Sequence, residues 1–190
     1  MKQKIIAVDP GTRNLGVAIF NRRRYIQLVH AKVYDLGGQA AGGVILTKAI
    51  VNIMKWYKEV YKLEVDSIFI EDQNMGMART NPQNQGVAWA AMAALTCLFP
   101  EAEAKFISSK EKFALYRKEF KSEKIQVIHG ATGRGKTKDR AYALAKYVLK
   151  EEHCAYQLKW QHPALTNHIA DLVGMVIAHV RRNSALPLSP

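Results

Sequence analysis

Acidic side chains are scarce in this sequence. Its 190 residues hold 16 Asp and Glu against 28 Lys and Arg, a formal net charge of +12. Such an excess points to a polyanionic partner and says nothing of fold. Cysteine is nearly absent. Cys97 and Cys154 lie far apart and form no CxxC pair. That excludes a cysteine-built zinc site and a disulfide framework, and suits a reducing compartment. No apolar run of about 18 residues is present, so no membrane span is expected. Met-Lys-Gln-Lys runs straight into an apolar stretch, without a leader pattern. Repeats, linkers and low-complexity stretches are also missing. With 48% hydrophobic and 23% charged residues, a disordered chain is excluded. One domain over residues 1–190 is expected, large enough to need no staples.

The positive charge is unevenly spread. Residues 1–30 carry six basic side chains and one acidic, and residues 101–150 carry thirteen and six. Everything else is close to neutral. A run such as Lys110–Lys124 reads blandly as a solvated helix face. A uniform solubility coat would not leave the middle and tail neutral, so the two blocks are expected to meet as a phosphate-binding surface.

Periodicity gives an α/β order. Lys4–Asp9, Leu15–Phe20 and Tyr25–Val33 read as three strands joined closely enough to be antiparallel. Val44–Leu63 has apolar residues at helical spacing. Ser67–Glu71 is a fourth strand, and Asp72–Asn84, rich in Asn and Gln, is a loop. Gly86–Phe99 is a small-residue helix, with Trp89, Met92 and Leu95 in the core or on a dimer face. Ala104–Ser108 is a fifth strand. Ser109–Phe120 is a basic helix, Ile125–His129 a weak strand or extended stretch, and Gly130–Lys136 a glycine-rich loop. Helices follow at Lys138–Glu151 and at Asn167–Asn183, the latter with Asn167 as N-cap. Trp56, Tyr57 and Tyr61 are expected in the core.

Chemistry concentrates in a few acids. Asp9 and Glu71 each end an apolar strand, where a carboxylate is expensive to bury without a partner or a metal. Either alone reads as a strand-end cap. Asp171 opens an apolar helix, where the helix dipole also favours an acid. His168 lies at i−3 from it, on the same helix face. Together, three acids and a histidine at the edges of apolar elements suggest a metal cluster. Mostly hard oxygen ligands favour Mg²⁺ or Mn²⁺ over Zn²⁺. Two such ions about 4 Å apart would clamp both oxygens of a phosphodiester undergoing displacement.

The segment Asp9-Pro-Gly-Thr-Arg-Asn-Leu-Gly16 resembles the first-strand motif of RuvC-type Holliday junction resolvases. Ile68-Phe-Ile-Glu71-Asp-Gln resembles their second acidic motif, and His168-Ile-Ala-Asp171 their C-terminal motif. Order and spacing match over about residues 3–180. The loop with Arg79 and Asn81, then Ser108-Ser-Lys-Glu-Lys-Phe113, is closer to the poxviral and mitochondrial branch. The resemblance implies an RNase H-like fold, with a mixed five-stranded sheet of three antiparallel strands followed by parallel ones, flanked by helices. It implies metal-dependent cleavage of four-way DNA junctions by a homodimer, in the cytoplasm or a DNA-containing compartment. It makes Asp9, Glu71, His168 and Asp171 the ligands of two Mg²⁺ or Mn²⁺ ions. Many members carry a carboxylate where this chain has His168, which bears on metal preference and on proton transfer. The resemblance also implies a basic residue near the scissile phosphate: Lys112, with Lys110 beside it, is in about the right place, and Lys136 and Lys138, after the glycine-rich loop, fit a second family position. Arg13, Arg79, Lys110, Arg134, Lys136, Lys138 and Arg140 are the expected DNA contacts. Met75 and Met77 are placed to wedge into an open junction.

Three rival readings stand beside this one. Gly130-Ala-Thr-Gly-Arg-Gly-Lys-Thr137 satisfies the Walker A pattern letter for letter. Yet too little chain follows it for a nucleotide-binding core, so no nucleotide cofactor is expected. The sugar-kinase and actin-type ATPases also open on Asp-x-Gly-Thr, but need two such domains. A non-catalytic branched-DNA-binding module is disfavoured by the intact acids.

Overall fold

The computed structural model describes residues 3–22, 26–37, 43–61, 64–72, 82–108, 110, 114, 125–128, 130, 135–151 and 163–183. Three strands come first: β1 (Gln3–Pro10), β2 (Asn14–Arg22) and β3 (Ile26–Asp35). Helix α1 (Gly43–Tyr61) leads to β4 (Ser67–Asp72), and α2 (Pro82–Leu98) to β5 (Glu103–Ser108). Helices α3 (Lys136–Glu151) and α4 (Pro163–Asn183) complete the order.

The strands form one sheet in the order β3-β2-β1-β4-β5. The β1–β2 and β2–β3 pairs are antiparallel, whereas β1–β4 and β4–β5 are parallel. This is the mixed, five-stranded sheet expected. Alternation along each strand divides the core. Ile5, Ala7, Ala18, Phe20, Phe69 and Ile107 face one way and pack on α3 and α4. Ile6, Val8, Val17, Ile19, Ile68 and Ile70 face the other way and pack on α1 and α2. Central strands covered on both faces need continuous apolar runs, which is why Ile5–Val8 and Ile68–Ile70 carry no polar residue. Each such isoleucine is fully or almost fully buried, so truncating one to alanine would cost about 2–5 kcal/mol.

Several boundaries differ from expectation. Helix α2 begins at Pro82, four residues before the expected start. Its first turn is the polar Pro-Gln-Asn-Gln segment, read as loop from composition, and proline is well suited to a first helical position. Helix α4 likewise begins at Pro163, so Asn167 is not its cap. Residues 125–128 join no strand. Trp56 and Trp89 are not core: they are 44% and 56% exposed. Most of the basic helix expected over 109–120 lies outside the described residues.

Tyr57 is the largest fully buried side chain. Tyr34 O–H donates to its hydroxyl at 2.9 Å, and that hydroxyl lies 2.9 Å from His30 Nε2. Burial, and then the nearby Lys32 charge, holds the His30 pKa below its ordinary value. A neutral His30 accepts at Nε2 from Tyr57, so a continuous neutral chain of hydrogen bonds links β3 to α1.

Candidate active site

The parallel pairing of β1 with β4 positions the first two acids. Val8 is the partner of Ile70, and Asp9 and Glu71 are the next residues on their strands. Neighbouring strands lie about 4.8 Å apart, so these acids sit side by side at the C-terminal sheet edge. Asp9 follows Ile5 and Ala7 in the alternation, and Glu71 follows Phe69. Both therefore face the α3–α4 layer. Asp9 is buried and Glu71 half-buried.

Helix α4 supplies the other two. His168 Nδ1 lies 2.5 Å from Asp9 Oδ2. Against a carboxylate, Nδ1 must be the donor, which leaves Nε2 with its lone pair in the neutral ring. Asp171, one helical turn on, is buried at 7% exposure. Since α4 starts at Pro163, neither residue is in the first turn, and the helix dipole does not account for this buried acid. Asp171 Oδ2 instead accepts from Lys138 Nζ at 2.6 Å. Glycine at position 16 makes the approach possible. It pairs with Asp9 across β1–β2, and a Cβ there would lie 3.3 Å from His168 Cβ and 3.4 Å from Asp9 Cβ.

The structure thus brings Asp9, Glu71, His168 and Asp171 to one edge of one face and adds Lys138. Among the described residues, no group of three or more His, Cys, Asp or Glu side chains converges as a metal site. Hydrogen-bonded partners hold two of the acids: His168 bonds Asp9 and Lys138 bonds Asp171. By donor type, hard carboxylate oxygens with one imidazole nitrogen, the four residues fit a divalent cation.

Several of the expected basic contacts lie on segments that end near this edge. Lys136 and Arg140 are exposed in the first turn of α3, beside the half-buried Lys138. Arg13 is exposed in the β1–β2 turn, where its carbonyl accepts from the Leu36 N–H at 2.7 Å. Lys110, just beyond β5, is exposed at the same end of the sheet. Lys112, Arg79, Arg134, Met75 and Met77 lie outside the described residues.

The Walker-type segment has a different setting from a nucleotide loop. The stretch before it is not a strand, and the Gly130 N–H donates to Asp139 Oδ2 at 2.8 Å. Asp139 and Gly16 were not singled out by sequence reasoning. Asp139 is the one acid in the run Arg134–Arg140, a signal hidden by its basic neighbours. Gly16 lay within a motif but gave no sign of its contact with α4.

Solved structures of similar shape decide the fold. Thermus thermophilus RuvC matches 95% of this chain and 96% of its own, with a TM-score of 0.59 and 13% identity. Yeast mitochondrial Holliday junction resolvase Ydc2 matches 94% of this chain and 80% of its own, at 0.58 and 9%. The chain has the RNase H-like fold of the RuvC-type resolvases. The RuvC-like fold also covers T. thermophilus RuvC in complex with a Holliday junction substrate, which matches 94% of this chain and 92% of its own at 0.59 and 11% identity. Neither a family model nor a curated protein matches the sequence. No helix among the described residues is long and apolar enough to cross a membrane.

Proposed function

We propose that this chain is a structure-specific endonuclease that resolves four-way DNA junctions by metal-dependent phosphodiester hydrolysis. The observation that supports this reading is the His168–Asp9 contact at the strand ends of a RuvC-like fold, with Glu71 beside Asp9 in the strand register and Asp171 one turn from His168. A strand-end acid can be a cap. Two acids side by side on parallel strands, facing a third acid and a histidine on a packed helix, cost too much to be caps alone.

Asp9, Glu71, His168 and Asp171 would hold one or two divalent cations, Mg²⁺ or Mn²⁺, which when bound would activate water and stabilise the phosphorane charge. The chain's own groups have definable tasks. Asp9 Oδ2 orients the His168 ring, so that Nε2 is presented as ligand or proton acceptor. Lys138 Nζ, held by Asp171, is close enough to the acids to offset negative charge on a scissile phosphate. Arg13, Lys110, Lys136 and Arg140 are exposed around the same edge and would bind the flanking phosphates. Symmetric cleavage of two strands calls for two such sites, and so for a homodimer.

The test is cleavage of a synthetic four-way junction against linear duplex, with Mg²⁺ or Mn²⁺ and with chelator. Cleavage confined to the junction and abolished by chelator is expected. Equal cutting of duplex, or cutting in chelator, would overturn the reading.

A further inference from the structure

Asp139 is the most deeply buried carboxylate among the described residues. It is 2% exposed, in a stretch where Lys136, Thr137 and Arg140 all reach solvent. A carboxylate in such a place needs strong hydrogen bonds. The Gly130 N–H supplies one at 2.8 Å, from nine residues back along the chain. Gly130 and Gly135 have φ of 81° and 93°, a left-handed region that glycine enters without strain. The Gly135 carbonyl accepts from the Lys138 N–H at 3.0 Å and the Asp139 N–H at 3.2 Å. Asp139 is therefore tied to Gly130 by its side chain and to Gly135 by its backbone.

Lys138 is the adjacent residue. Its Nζ reaches Asp171 Oδ2 at 2.6 Å while the side chain stays 40% exposed. At that exposure packing restrains the side chain only in part. Consecutive helical residues point about 100° apart, so an Asp139 fixed inward sets the direction in which the Lys138 side chain leaves the helix. We propose that Asp139 is a positioning residue. It locks the first turn of α3 to the glycine loop and so aims Lys138 at the acid edge. The same bond occupies a backbone amide of the kind a phosphate nest would use. Gly130 and Gly135 of the Walker-type pattern then help to hold the lysine-bearing turn. This inference rests on the reading of Lys138 as the charge-offsetting lysine.

The experiment uses the full chain with Asp139→Ala, Asp139→Asn, Lys138→Ala and the Asp139→Ala/Lys138→Ala double variant. Single-turnover cleavage of a synthetic four-way junction with Mg²⁺ is measured beside junction affinity without metal. Asp139→Ala should slow cleavage about tenfold or more with affinity changed less than about threefold. Asp139→Asn keeps an acceptor oxygen and should recover most of the rate. The double variant should be no slower than Lys138→Ala alone, because the two act as one unit. Multiplying effects, or equal losses of rate and affinity, would overturn the proposal.

A second readout does not need activity. Acetic anhydride labelling of the intact chain, read by mass spectrometry, compares Lys138 with Lys136. Asp139→Ala should raise the Lys138:Lys136 ratio severalfold, and Asp139→Asn, which keeps the acceptor oxygen, should leave it near wild type. An alanine ratio equal to wild type, or an asparagine ratio raised severalfold, would overturn the proposal. If the wild-type chain cuts no junction, the functional reading fails, and the labelling alone decides whether Asp139 positions Lys138.

Discussion

On the α1–α2 face of the sheet, the deepest polar side chain is Tyr57, and its partners Tyr34 and His30 form a neutral chain of hydrogen bonds. On the α3–α4 face stand Asp9, Asp139 and Asp171, the three buried charged side chains among the described residues. Apolar burial is similar on the two faces, with Ile6 and Ile68 on one and Ile5 and Phe69 on the other. The difference lies in what the polar groups do. A neutral network is satisfied internally and adds order to a core. Buried acids are weak devices for stability, because desolvation offsets much of their attraction. Three of them on one face, with His168, Lys138 and the Gly130 amide as partners, point to chemistry there and to structural support opposite.

Mutations can break that contrast, and the largest effect is expected at the strand edge. Glu71→Gln keeps size and shape but removes a charge. It should lower single-turnover cleavage of a four-way junction by about 10²–10³-fold, with the thermal midpoint nearly unchanged. A large fall in midpoint with little change in rate would move Glu71 to the structural side. Next is Gly16→Ala. The added methyl would meet His168 Cβ at 3.3 Å, forcing α4 or its histidine to shift by a few tenths of an ångström. About a tenfold loss in cleavage is expected, with junction affinity retained. Wild-type turnover in this variant would mean that the Asp9–His168 contact does not matter.

The opposite face should behave the other way round. Tyr57→Phe removes the hydroxyl that bonds His30 Nε2 and Tyr34, and should cost about 1–3 kcal/mol in denaturant unfolding. Its cleavage rate under native conditions should equal wild type, and a slowed rate would blur the division between the faces. The smallest effect is one of pH. Burial and Lys32 hold His30 below its ordinary value of 6.5, so the unfolded chain takes up a proton more readily than the folded one. His30's contribution is complete above that value and is lost as pH falls below it. Thermal midpoints should drop on acidification through this range, and drop less in His30→Gln. Parallel curves for the two proteins would remove His30 from the account.

Much of this was legible in the sequence, for reasons that can be traced to residues. KIIAVD and SIFIE read as strands because both faces of β1 and β4 are covered, and apolar runs ending in acids are conspicuous. The antiparallel pairing of the first three strands followed from their short connections, whereas the parallel half of the sheet was implied by the resemblance. Helix starts were harder. Pro82-Gln-Asn-Gln and Pro163-Ala-Leu-Thr begin helices through a proline at the first position, whereas polar composition suggested a loop or a later cap. Trp56 and Trp89 show that aromatic character alone does not place a side chain in the core. Among site residues, Asp9, Glu71, His168 and Asp171 stood out by position at element edges. Asp139 did not, and Lys138 stood only as one of several candidate lysines, since the role of each depends on a contact between segments distant in sequence. A run of lysines and arginines reads as phosphate-binding surface, and nothing local marks the member that turns inward.

The central claim is that the acid edge on the α3–α4 face does the chemistry. Asp9→Asn tests it most directly, because it removes one charge from β1 while keeping a hydrogen-bond acceptor for His168. Single-turnover cleavage and junction affinity would be measured on the same four-way junction with Mg²⁺. The expected result is cleavage lowered by at least about 10²-fold with junction affinity within a few fold of wild type. Cleavage at the wild-type rate by Asp9→Asn would contradict the account.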